Sequence, residues 1–109
     1  MSLAALTDRE IDALVVERIM EWTIRGHYYC DGGEPIWAVG AFRPSEEIAA
    51  AFAVVEMMRE PGWEVVICAS RVRWDVTFGR DQEDAQAYAD TVTRAICLAA
   101  LSAMNGGDA

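Results

Sequence analysis

The stretch WEVVICASRVRWDVTF, residues 63 to 78, decides the fold class. Its second half alternates. Val72, Trp74, Val76 and Phe78 point one way, and Arg71, Arg73, Asp75 and Thr77 point the other. A period of two marks a half-buried β-strand. Its first half is apolar on both faces, as expected of a central strand covered twice. Strands are predicted over 63–70 and 72–78, with no strong turn signal at Ser70-Arg71 to say how they join.

Helices flank this pair. Upstream, RPSEEIAAAFAVVEMMREPG predicts a helix over about 45–59. Ser45 serves as N-cap, and Glu46 and Glu47 sit in the first turn, where the helix dipole favours negative charge. Ile48, Ala51, Phe52, Val55 and Met58 form its expected core stripe, and Glu60-Pro61-Gly62 stops it. Downstream, TVTRAICLAALSAM predicts a helix over 92–104, with Thr91 as N-cap and NGG as its stop. Between them, RDQEDAQAYAD is ambiguous. Its alanines favour helix, yet Ala85, Ala87 and Ala89 alternate as a strand would over 84–90.

The N-terminal third adds a helix and a hairpin. In LTDREIDALVVERIMEW, Thr7 and Glu10 have the spacing of a capping box, and Leu6 and Ile11 that of a hydrophobic staple. Ile11, Leu14, Val15, Ile19 and Trp22 recur at helical spacing, so a helix is predicted over 8–22. Next comes RGHYYCDGGEPIW, residues 25 to 37. Asp31-Gly32-Gly33 between aromatic runs signals a hairpin, because glycine accepts the positive φ of tight turns. Strands are predicted over 24–30 and 36–42, with Pro35 limiting the return strand to an edge or to its first position. The order is α-β-β-α-β-β-(β)-α, an α+β layer fold in one domain over residues 1–109.

Composition narrows the activities. With 53% hydrophobic and 25% charged residues, 109 residues can bury one real core. No apolar run reaches the roughly 18 residues of a membrane span, and the N-terminus lacks a signal-peptide pattern. A soluble protein without membrane partners is expected. The net charge of -9 opposes a phosphate backbone, so nucleic acid is not an expected partner. Cys30, Cys68 and Cys97 lack metal or disulfide spacing, and one histidine cannot build the usual multi-histidine metal site. No nucleotide-loop, zinc-protease or nucleophile-elbow motif occurs. His27 and Cys30 would point to opposite faces of a strand, which argues against a nucleophile-base pair. No catalytic residue, cofactor or metal is assigned, and the enzyme question is left open, leaning to no.

The blocks LTDREIDALVVERIMEW, YYCDGGEPI, FRPSEEIAAAFAVVEMM and RAICLAAL, in this order, resemble the phage ABA (αβα) sandwich domain family. These are short, mostly uncharacterised proteins of phages and prophages. The resemblance implies an αβα sandwich with a small, mainly antiparallel sheet covered by helices, and a third strand in the 84–90 stretch. It implies an accessory protein made in the cytoplasm of an infected bacterium, and it brings no catalytic residues.

Two side-chain sets suggest binding. His27, Tyr28, Tyr29 and Trp37 offer ring faces and hydrogen-bonding tips suited to planar ligands. Arg25, Arg43, Arg71 and Arg73 offer guanidinium forks suited to phosphate or carboxylate, and Arg71 and Arg73 would share one strand face. Plainer roles exist for both: a half-buried hairpin for the rings and a solvated strand face for the arginines. Trp22, Trp63 and Trp74 read as core. The reading preferred from sequence is a non-enzymatic protein that binds a small anionic or nucleotide-type ligand, sequestering a bacterial defence signal, as a homo-oligomer with pockets between subunits. The alternative is an acidic interaction module that docks on a host or phage protein.

Overall fold

A computed structural model describes residues 3–104. Helix α1 runs Asp8–Val15 and continues as one wider π-type stretch, Val16–Met20. The expected capping box forms: the Glu10 N–H donates to Thr7 Oγ1 (3.2 Å), and the Thr7 N–H donates to Glu10 Oε1 (2.9 Å). These bonds to Thr7 hold the Glu10 carboxyl below its ordinary pKa. Glu21 adopts φ 57°, the left-handed turn that ends the helix two residues before its expected limit.

The hairpin region is a three-stranded antiparallel sheet rather than two strands. It comprises β1 (Thr23–Arg25), β2 (Tyr28–Asp31) and β3 (Glu34–Ala38), in that order. The predicted strand 24–30 is interrupted at Gly26-His27. Gly26 takes φ 61°, which lets the two residues close a tight hairpin. Gly32 and Gly33, both at positive φ, close the second hairpin where it was expected. The return strand ends at Ala38, and the chain then turns.

Helix α2 spans Ile48–Arg59. It starts three residues later than its serine suggests, because Ser45 is occupied elsewhere. The Ser45 N–H donates to Asp12 Oδ1 (2.9 Å), and the Ser45 carbonyl accepts from Thr93 Oγ1 (2.7 Å). Ser45 is therefore a buried bridge between α1 and the last helix, not an N-cap. The buried face of α2 is Ala51, Val54, Val55 and Met58, while Ile48 and Phe52 are exposed. So many apolar residues surround this helix that periodicity alone misplaced its inner face.

The second sheet is β4 (Glu64–Ala69), β5 (Trp74–Arg80) and β6 (Glu83–Ala89), antiparallel and in chain order. The ambiguous segment is thus a strand. The doubly apolar β4 is an edge strand, not the expected central one, and β5 takes the middle. Val76 and Phe78 are fully buried, opposite Ile67 and Val65 on β4 and Ala87 and Ala85 on β6. Helix α3 (Val92–Met104) packs on β5 and β6 and against α1 and α2. It is buried all round from Ala95 to Ala103, so its alanines provide close approach on every side. Thr91 caps it, accepting from the Arg94 N–H (3.3 Å). The expected NGG stop lies outside the described residues. Three helices and two small antiparallel sheets make an α+β sandwich, in agreement with the resemblance.

Burial raises the pKa of Asp12 above its ordinary 3.8, against the opposing effect of the Ser45 N–H. The folded chain therefore holds this proton more tightly than the unfolded chain. That contribution is full below pH 3.8 and is lost as pH rises through the folded pKa. An asparagine oxygen can still accept from the Ser45 N–H and carries no charge to bury. Asp12→Asn is thus expected to melt higher than wild type near neutral pH, with the gain vanishing in acid. Melting curves of both proteins across the acid range check the sign.

Candidate functional site

The eight residues singled out from sequence do not converge. Tyr29 is buried: its ring lies 6.2 Å from that of Trp22, which packs edge-on against Phe42 at 4.8 Å. Burial and the charge of Asp12 push its hydroxyl pKa up. Tyr29 is a core residue and cannot offer a ring face to a ligand. Arg43 is exposed but lies 3.6 Å from Glu46 and 3.4 Å from Glu47, so its charge is locally offset.

Arg25, His27, Tyr28 and Trp37 do share the first sheet. Arg25 lies opposite Tyr28, and His27 sits in the β1–β2 turn, its carbonyl accepting from the Val39 N–H (2.8 Å). Trp37 is 46% exposed, with its ring 5.7 Å from that of Phe42. Around these residues Ile24 (63% exposed), Tyr28, Ile36 and Val39 also stand in solvent. Every residue of β1 and β3 is exposed. This sheet is anchored to the core through Tyr29 and Cys30; Ile24 and Trp37 flank Tyr29 on its face at the margin of the core, and Tyr28 points the other way. Glu21, Asp31 and Glu34 add exposed carboxylates around it.

Arg71 and Arg73 belong to the other sheet. They lie in the Ser70–Arg73 turn, not on a strand, so they do not share a strand face as expected. Ser70 builds that turn. Its N–H donates to the Arg73 carbonyl (2.9 Å), and its Oγ accepts from the N–H groups of Val72 (3.3 Å) and Arg73 (3.2 Å). The Arg73 guanidinium stacks 3.9 Å from the centre of the Tyr88 ring and lies 3.5 Å from Asp75 Oδ2. Asp75 Oδ1 is buried with no hydrogen-bond partner among the described residues. Tyr88 was missed from sequence, since its face depends on reading 84–90 as a strand.

A cleft of about 660 Å³ opens at the start of α3 between Ser45, Tyr88 and Thr91. Its basic residue, Arg94, is already engaged by Asp8 and two carbonyls. Asp8, Glu46 and Asp90 also line it, which makes it a poor anion site. Among the described residues no three His, Cys, Asp or Glu groups converge as a metal site. Cys97 is buried, and burial raises its thiol pKa far enough to keep it protonated and unreactive.

The model of the phage ABA sandwich domain matches residues 13–101. The chain belongs to the phage ABA sandwich domain family. A 2.0 Å crystal structure of a phage protein from Bacillus cereus ATCC 14579 is similar to this family member with a TM-score of 0.76. The two are 21% identical, and the match covers 94% of this chain and 97% of that one. At that identity the likeness establishes the shared fold alone. No curated protein matches the chain. Among the described residues no helix of this ABA sandwich is long and apolar enough to cross a membrane.

Proposed function

We propose that this ABA sandwich protein is a phage accessory protein that binds another protein through its first sheet. One observation carries the reading: Ile24, Tyr28, Ile36 and Trp37 are all exposed on one small sheet, Ile24 and Trp37 on the face of Tyr29, and Tyr28 on the opposite face, with Val39 exposed just past its last strand. A stable monomer seldom leaves such a cluster bare unless something docks there. Tyr and Trp supply large, rigid contact area, which makes them common anchors of interfaces. The surrounding carboxylates and the net charge of -9 favour a host or phage protein with a basic rim.

The test starts from proteins retained by the immobilised chain from infected cells, followed by titration of the purified partner. Trp37→Ala is expected to weaken that binding roughly 30-fold, a loss of about 2 kcal/mol, and added salt should weaken it further. A Trp37→Ala variant that binds like wild type would sink this reading.

The Arg73–Tyr88 stack favours a second reading, a small anionic or nucleotide-type ligand sequestered at the Arg71/Arg73 turn. Heating protein purified from infected cells should then release a nucleotide visible by mass spectrometry. Arg71→Ala and Arg73→Ala should weaken binding of that nucleotide with little change in Tm. Release of nothing, with no thermal shift across a nucleotide panel, counts against it.

A further inference from the structure

The two sheets have four edges, and three are protected against pairing with another chain. β1 is only three residues long. β3 contains Pro35, which cannot donate to a ladder. β6 carries exposed Glu83, Asp84 and Gln86. Short strands, proline and charge are the usual protections of an edge. β4 has none of them beyond Glu64 at its start: Val65-Val66-Ile67-Cys68-Ala69 follows without charge or proline. On its outer row Val66 is 59% exposed and Cys68 is exposed, and on its inner row Val65 and Ile67 are only partly buried.

We propose that β4 pairs antiparallel with β4 of a second copy of this chain, joining two three-stranded sheets into one of six strands. The strand is complementary to itself. Pairing about Ile67 places Val66 opposite Cys68, Val65 opposite Ala69 and Glu64 opposite Ser70. Outer rows meet outer rows and inner rows meet inner rows, as the two-residue period requires. Glu64 never faces its own copy. Such a two-fold contact closes on itself and stops at a dimer. α2 packs against β4 and leaves Ile48 and Phe52 exposed. In the dimer the two α2 helices cover the same face of the joined sheet.

This surface differs from the first-sheet docking surface, and the experiments separate them. Light scattering of wild type should give twice the chain mass of 12.0 kDa. Val66→Lys, a change at an exposed position, should halve that mass and leave the circular dichroism spectrum intact. Ile24→Lys on the first sheet should leave the dimer whole. Salt should strengthen this dimer of acidic chains, whereas it weakens docking to a basic partner. A chemical readout guards against misfolding of the lysine variant. Cys68 is the exposed cysteine, Cys30 and Cys97 being buried. In the Ile67-centred register two Cys68 residues lie about 8 Å apart, from strand spacing and rise, so a short bismaleimide should link wild-type chains and fail on Cys68→Ser. A monomeric wild type, a dimer indifferent to Val66→Lys, or no linkage through Cys68 would overturn the proposal.

Discussion

Phe78→Ala is expected to cost about 3–5 kcal/mol. Phe78 is fully buried at the middle of β5, flanked across the strands by Val65 and Ala85 and covered by α3. Its neighbours cannot collapse into the space left behind. Ala85 has no reach, and α3 is already buried on all sides from Ala95 to Ala103. The loss should therefore lie in the upper part of that range. A domain of this size has roughly 5–15 kcal/mol of stability in total, so the variant would approach unfolding at body temperature. Urea denaturation should show a much lower midpoint at an unchanged slope. Val72→Ala is the control: Val72 is 80% exposed in the β4–β5 turn, and its loss should matter by no more than about 0.5 kcal/mol. A Phe78→Ala midpoint near that of the control would contradict the packing described for the sheet.

Arg94→Ala is expected to cost about 2–3 kcal/mol, less than a fully buried ion pair because Asp8 remains partly solvated. The Arg94 guanidinium donates to Asp8 Oδ1 (2.6 Å) and to the carbonyls of Leu6 (2.6 Å) and Ala4 (3.1 Å). One side chain thus ties the entry to α1 onto α3. Its planar fork reaches three acceptors at once, which a lysine ammonium on its flexible stem does not match. Arg94→Lys should recover only part of the loss. Arg43→Ala, which removes two exposed ion pairs on a single loop, should cost no more than about 1 kcal/mol. Equal midpoints for Arg94→Ala and Arg43→Ala would show that the clamp contributes nothing.

Arg94 also shows why the candidate site was only partly legible. The sequence reading singled out Arg25, Arg43, Arg71 and Arg73 and passed over Arg94. In one dimension nothing distinguishes an arginine held by three acceptors from one left in solvent. The same blindness affected Tyr28 and Tyr29. They are neighbours of identical chemistry, and a strand sends one outward and the other into the core. Ile24, Ile36 and Val39 were overlooked as surface residues because apolar side chains are expected inside. Gly26-His27 was overlooked as a turn because glycine followed by histidine is a weaker hairpin signal than Asp31-Gly32-Gly33.

Signals carried by near neighbours in the chain were readable from the sequence alone. The Thr7–Glu10 capping box, the Thr91 cap, the glycine turn at 32–33 and the alternation from Trp74 to Phe78 all depend on contacts within a few residues and appear as expected, whereas Val72, expected on the buried face of that strand, is 80% exposed in the turn before it. Tertiary structure alone decided the matters that depend on which surfaces meet. It made the doubly apolar β4 an edge, turned Ile48 and Phe52 outward, and set Ser45 between Asp12 and Thr93 instead of at a helix start. Local preference is worth tenths of a kcal/mol per residue, whereas burying a large side chain is worth about 1.5–3. Where the two disagree, packing wins, and packing partners are not written in order along the chain.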